Sequence, residues 1–151
     1  MSHRFSLDAN VLFYAIDGRD PTKQGRALDL IGRSAVVDCV VALQALGEFF
    51  HSASRQRPRE KTLLSAQTQR WLELFPTVAS TPKLLPQALQ LVEQGQASFW
   101  DAMLVVTVAD AGCTTLLSED MADGVTLGGV TVRNPFRGER LPDEIEALLT
   151  V

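Results

Sequence analysis

The sequence predicts an α/β fold, with a mainly parallel central sheet of about five strands flanked by helices. Three observations carry this. Short apolar runs of strand length alternate with longer stretches whose apolar residues recur at helical spacing. The 151 residues are about one domain's length, and at 46% hydrophobic they supply a full core without a disulfide scaffold or structural metal. No repeat, low-complexity tract or linker divides the chain, so residues 1–151 read as a single domain.

Phe5 to Leu7 is a short apolar strand ending at Asp8, and an apolar segment from Val11 to Ile16 runs into the Asp17-Gly18 turn. Pro21 opens a helix, where its missing N–H costs nothing, and that helix passes through Ala27, Leu28, Leu30 and Ile31 to end near Gly32. Ser34 to Asp38 reads as a buried strand. From Val40 to about Ser54 the apolar spacing is helical. Pro58 starts another helix, with Leu63, Leu64, Trp71, Leu72 and Phe75 on one broad face. A short strand at Thr77 to Ala79 precedes a helix from Leu84 to Glu93, which Gly95 closes. Ser98 begins the most apolar helix, Phe99 to Ala111, and Gly112 stops it. Thr114 to Ser118 is the next strand, a turn-rich stretch follows, Gly129 to Arg133 is the last strand, and Pro142 to Leu149 forms a final helix. In a parallel sheet the ligand cleft lies outside the carboxyl ends of the strands. Asp8 and Asp120, each following a strand, are thereby expected at one edge.

Composition excludes several classes. Apolar runs such as Ala102 to Ala109 fall well short of a membrane span. Met1-Ser2-His3-Arg4-Phe5-Ser6-Leu7-Asp8 places an acid where a secretory leader needs its apolar stretch. Cys39 and Cys113 sit singly in apolar runs, as small core residues of a reducing cytoplasm rather than as a bridge. The net charge of −4 argues against nucleic-acid binding by bulk charge. Setting four candidate acids aside leaves 14 acids against 14 bases, so the charge excludes neither RNA nor DNA as substrate.

Each of those acids has a plain structural reading. Asp8 can cap the helix that follows, although Asn10 adds a second oxygen donor at the same turn. Glu48 falls at the rim of a helix whose buried arc carries Val41, Ala45 and Phe49. Asp101 completes a Ser-x-x-Asp capping pattern with Ser98. Any of Glu119, Asp120 and Asp123 can serve as a turn residue. Taken together, acids at two strand ends, a helix rim and a helix start can converge on one cleft. Clustered carboxylates repel and take up protons unless a cation offsets them. Oxygen donors suit a hard ion such as Mg²⁺ or Mn²⁺. Zinc and Ser-His-Asp chemistry lack support, since His3 and His51 are the only histidines and neither has a suitably spaced partner.

Ser6-Leu7-Asp8-Ala9-Asn10-Val11-Leu12, Glu48 in a helix, Ser98-Phe99-Trp100-Asp101-Ala102 and Leu117-Ser118-Glu119-Asp120 resemble, in order and spacing, the motifs of PIN-domain ribonucleases. The chain is most similar to the VapC-type toxins of toxin–antitoxin pairs. The likeness extends through Leu127-Gly-Gly-Val-Thr-Val-Arg-Asn-Pro-Phe136, similar to that family's closing strand. The resemblance implies a Mg²⁺-dependent endoribonuclease, usually dimeric and restrained by a small antitoxin protein. It carries the acidic quartet onto Asp8, Glu48, Asp101 and Asp120, with Asn10 and Ser118 as accompanying polar positions. The Ser-x-Asp spacing aligns Asp120 rather than Glu119 with the fourth acid.

Hydrolysis of a phosphodiester needs an activated water and stabilisation of charge at phosphorus, which divalent ions supply. Asp8 and Asp101 are the expected main ligands, with Glu48 and Asp120 completing the shell and one carboxylate accepting the water's proton. RNA backbone contacts are sought in the basic cluster Arg55, Arg57, Arg59 and Lys61. Trp71 and Trp100 read as core residues, with base stacking as the other use. A homodimer is expected to bury the surplus apolar surface of Leu63, Leu64, Trp71, Leu72 and Phe75. Two other classes compete. A non-catalytic interaction module has no need of repelling acids, and a phosphoryl-transfer domain wants a late Lys, whereas the last one here is Lys83. A housekeeping nuclease without an antitoxin is the alternative within the enzyme reading.

Overall fold

The computed structural model describes residues 3–151. Parallel strands β1 (Phe5–Leu7), β4 (Thr115–Leu117) and β6 (Val130–Arg133) form the centre of a four-stranded sheet of order β1-β4-β6-β5. Strand β5 (Thr126–Leu127) pairs antiparallel with β6 across the positive-φ glycines Gly128 and Gly129. A second, two-stranded parallel sheet joins β2 (Val41–Ala42) and β3 (Thr77–Val78). It continues the first sheet past β1, because Phe5 bridges to Cys39 and the Val40 N–H donates to the Phe5 carbonyl at 3.1 Å. The expected five-stranded sheet is thus four strands with a short two-stranded extension.

Among the described residues seven α-helices pack around these strands: α1 (Ala9–Ile16), α2 (Pro21–Ser34), α3 (Leu43–Gln56), α4 (Lys61–Leu74), α5 (Leu85–Glu93), α6 (Phe99–Asp110) and α7 (Asp143–Leu148). Helix α6 is buried along almost its whole length from Ala102 to Val108, as its apolar sequence requires. Both of its predicted boundaries hold. At Gly112 (φ 92°) the chain turns left-handed, and the Cys113 N–H reaches back to the Val108 carbonyl at 2.9 Å. Gly95 (φ 69°) ends α5 the same way. The expected helix from Pro58 starts as a tight 3-10 turn over Pro58–Glu60 before α4.

Two expectations fail. Ser34 to Asp38 is not a strand: α2 runs on through Ser34, and Val36 is 70% exposed. Pairing begins with the bridge at Cys39, and Val41 and Ala42, expected in a helix, form β2 instead. The run from Ala35 to Ala42 carries Asp38 as its one turn residue, where the bend before the Cys39 bridge falls, and a short apolar run has no decisive periodicity. The apolar face of α4 also divides. Leu64, Trp71 and Phe75 enter the core, with Trp71 edge-on to Phe49 at 4.8 Å, while Leu63 and Leu72 stay exposed. The two cysteines are free and buried. Burial pushes the Cys113 thiol up to about 12 and Cys39 further still, so both are inert packing residues. Among the described residues no helix is long and apolar enough to cross a membrane.

Candidate functional site

The carboxyl ends of β1, β2 and β4 lie along one edge, and each hands a polar residue to it. Asp8 follows β1 and caps α1. Its Oδ1 accepts from the Ala9 N–H at 2.7 Å and its Oδ2 from the Ser118 hydroxyl at 2.8 Å, while its own N–H donates to the Leu117 carbonyl. The capping reading and the site reading therefore both hold, one on each oxygen. Ser118, fully buried after β4, is saturated: it also accepts from Asn10 Nδ2 at 3.1 Å and from the Asp120 N–H at 3.2 Å. Asn10 in turn accepts from the Glu119 N–H at 3.2 Å. This network ties the loop carrying Asp120 to the turn carrying Asp8.

The side chain of Asp8 is 4% exposed. Burial pushes its carboxyl up to about 6 from an ordinary 3.8, against the lowering effect of its two hydrogen bonds, and the charges of Asp120 and Glu48 push it further. Asp120 and Glu48 are thus each close enough to Asp8 to repel its charge. Asp120 and Glu48 line one open cleft of about 620 Å³ with Asn10, Tyr14, Arg19 and His51. Glu48 reaches it from α3, with Oε1 held at 2.9 Å by the Gln44 amide. The same amide group donates to the Trp100 carbonyl at 2.9 Å, which links Glu48 to the start of α6.

Asp101 sits in the first turn of α6, half-buried and outside the residues that line the cleft. It does not form the capping box, for Ser98 makes no side-chain cap, and its carboxylate has no hydrogen-bond partner among the described residues. The structure groups Asp8, Glu48 and Asp120, and leaves Asp101 beside them, one residue beyond the carbonyl that Gln44 holds. Among the described residues no three acid, histidine or cysteine side chains stand close enough to grip an ion as they are placed. The donor set is nevertheless all oxygen, and a cation would favour the ionised form of Asp8 against burial and the neighbouring charges, so the chemistry fits a hard divalent ion.

Glu119 and Asp123, the other acids of the turn, are already engaged. Glu119 takes the Tyr14 hydroxyl at 2.5 Å and Lys23 Nζ at 2.7 Å, and that ammonium lies 4.6 Å from the Tyr14 ring centroid. Asp123 accepts from the Asn134 N–H and pairs with Arg137. In the basic cluster, Arg57 donates to the Ile16 carbonyl at 2.7 Å and pairs with Glu60, while Arg55, Arg59 and Lys61 are exposed. Trp71 is core as expected. Trp100 is not: it is 63% exposed. Sequence reasoning missed Tyr14, Arg19, Gln44 and His51. His51 lies one helical turn from Glu48, a spacing that puts both on one face and was available to find it.

No curated protein sequence matches the chain. Solved structures of similar fold include the sarcin–ricin-loop-cleaving toxin VapC20 of Mycobacterium tuberculosis, at 19% identity over 77% of this chain and 91% of that one, TM-score 0.62. VapBC2 of Rickettsia felis, bound to a promoter DNA fragment, aligns at 13% identity over 87% and 98%, TM-score 0.63. A toxin–antitoxin complex from Klebsiella pneumoniae aligns at 16% over 83% and 94%, TM-score 0.62. At these identities the likeness is one of fold. The PIN domain matches residues 6–122, most of the chain and every motif from Ser6 to Asp120, and the protein belongs to the PIN domain family.

Proposed function

We propose that this chain is a Mg²⁺-dependent endoribonuclease and the toxin of a toxin–antitoxin pair. The observation that carries the reading is the buried Asp8 carboxyl raised to about 6 beside Asp120 and Glu48 at the carboxyl edge of the sheet. Burial is the main cause and the two neighbouring charges add to it; a scaffold has no use for a buried acid beside two others, whereas a divalent cation offsets them. In this reading Asp8, Glu48 and Asp120 hold Mg²⁺, or Mn²⁺ in its place, with Asp101 adjacent to complete the set. The ion, when bound, stabilises negative charge on the phosphorus oxygens and the leaving oxygen. The chain's own residues do the rest. The Ser118 hydroxyl and the Ala9 N–H fix the Asp8 carboxylate, and Asn10 and Ser118 hold the backbone of Glu119 and Asp120. Glu48 keeps Oε2 free of hydrogen bonds among the described residues, and that oxygen takes the proton of the attacking water.

Purified protein is expected to cut RNA with Mg²⁺ or Mn²⁺ and to stop in chelator; full activity in excess chelator would remove the metal reading. The antitoxin partner is proposed from the acidic cleft, which an Arg or Lys of a small protein can enter and neutralise as a cation does. The similar structure from Klebsiella pneumoniae is a toxin–antitoxin complex, which supports a protein partner here. Expression alone should arrest growth. Harmless expression with intact RNA cleavage would leave a housekeeping nuclease. A homodimer is also proposed, now on the exposed stripe Leu85, Leu89 and Val92 of α5, since Leu64, Trp71 and Phe75, three of the five residues expected to be surplus, pack inward. Light scattering should give about twice 16.5 kDa, and a mass of 16.5 kDa would refute it.

A further inference from the structure

The acids occupy one part of the cleft, and a different group is built at another. Asp17 follows the last turn of α1 as Asp8 precedes its first. Nine residues at about 1.5 Å each set the two about 13 Å apart along the helix axis. Asp17 is buried and takes Arg19 in a two-pronged grip: Nε donates to Oδ1 at 2.9 Å and Nη2 to Oδ2 at 2.8 Å. The Arg19 backbone N–H adds a third bond to Oδ1 at 3.1 Å, and Nη2 also reaches Gln56 Oε1 at 3.2 Å. Arg19 holds the Asp17 carboxyl down at about 2, with the charge of Arg57 adding to the effect, so the pair stays ionised at any working pH. On its far side Arg57 meets Glu60 at 3.6 Å.

This is more fixation than an exposed surface pair needs. The Arg19 side chain is 71% exposed, yet its plane is set by a buried carboxylate. One edge of the guanidinium is consumed, and Nη1 makes no hydrogen bond among the described residues. Arg19 lines the same cleft as Glu48 and Asp120, next to His51, Ser52 and Gln56. A planar cation whose rotamer entropy is already lost, with Nη1 still free of hydrogen bonds and the residue on a cleft, binds a phosphate at low cost. The spacing suits a polymer. About 13 Å along α1 is the length of a few nucleotides of RNA, at a rise of at least about 3.4 Å each.

Resting on the reading of the acids as an RNA-cutting centre, we propose that Arg19 forms a phosphate subsite. It holds a backbone phosphate of single-stranded RNA a few nucleotides from the bond that is cut. Asp17 and Gln56 are positioning residues that aim it. Because this phosphate is remote from the reacting bond, the contact serves ground state and transition state alike and acts on KM rather than kcat.

The test compares Arg19→Gln with the parent chain. In an Asp8→Asn background, fluorescein-labelled single-stranded RNA with Mg²⁺ should bind about 10-fold more weakly after Arg19→Gln, and the slope of log K against log salt should drop by about 0.7, one phosphate contact. In the chain with Asp8 intact, KM should rise by a similar factor with kcat within about twofold. A second measurement needs no variant: in chelator, the Arg19 guanidinium NMR resonances should shift when the same RNA is added. Unchanged affinity and slope in a chain that still cuts RNA would overturn the subsite and leave the nuclease reading standing. So would a fall in kcat at constant KM. If Arg19→Gln unfolds by stranding Asp17, unmoved Arg19 resonances overturn the subsite and shifted ones support it. A parent chain that neither binds nor cuts RNA removes both readings together.

Discussion

Asp8→Asn is expected to lower RNA hydrolysis by about 10²–10⁴-fold, the several kcal/mol of charge stabilisation lost with a poorly held ion, while the chain stays folded. The amide has nearly the carboxylate's shape, so its oxygen still caps α1 through the Ala9 N–H. What goes is the negative charge around which Ser118, Glu48 and Asp120 are arranged. Asp120→Asn and Glu48→Gln should act in the same direction. Glu119→Gln should do less, because that carboxylate is spent on Tyr14 and Lys23. Gel-resolved cleavage alongside far-UV circular dichroism separates lost chemistry from lost fold. Wild-type rates in a folded Asp8→Asn chain would remove Asp8 from the centre.

The second large effect is on stability without metal. The Asp8 carboxyl titrates at about 6 in the folded chain against 3.8 in its unperturbed state, so the folded chain holds that proton more tightly. Its contribution is therefore fully present below about pH 4 and is lost as pH rises through about 6. At about 1.4 kcal/mol per pKa unit, the loss amounts to about 3 kcal/mol at most. Asp17 has the opposite sign in a separate window: held down at about 2 by Arg19, it stabilises above 3.8 and fails only as pH falls toward 2. Urea midpoints in chelator should therefore decline from pH 4 to pH 7 more steeply in the parent chain than in Asp8→Asn. Equal slopes would show that Asp8 does not carry the strain. Adding Mn²⁺ at pH 7 should restore the parent's midpoint and leave that of Asp8→Asn nearly unmoved.

How much of this was legible in the sequence depends on whether a signal was local. Gly95 and Gly112 announce their helix ends because a positive φ is a property of one residue, and the structure closes both turns as read. Asp8 and Asp120 were placed at one edge by a topological rule alone. The strand expected at Ser34 to Asp38 was misplaced because pairing, not composition, decides where an apolar run becomes extended; the partner of Cys39 is Phe5, far off in sequence. Trp100 and Leu63 had the spacing of core residues, but which side of a helix is covered depends on neighbours the sequence does not name. The engagement of Glu119 by Lys23 and Tyr14, which leaves Asp120 to face the cleft, joins residues about a hundred positions apart. Arg19 was invisible for a different reason: its partner Asp17 is two residues away, yet a turn acid beside an arginine is common, and only burial of the acid makes the pair notable.

The most direct measurement is the chemistry of the cut ends. If Asp8, Glu48 and Asp120 hold a divalent ion and Glu48 takes the proton of an attacking water, that water's oxygen enters the phosphate. RNA cut with Mg²⁺ in water carrying heavy oxygen should then show linear phosphate monoesters bearing one heavy atom opposite free hydroxyls, and chelator should abolish the products. Cyclic 2′,3′-phosphate ends, free of heavy oxygen and still formed in chelator, would mean that the RNA's own hydroxyl attacks and that the acids hold no catalytic ion.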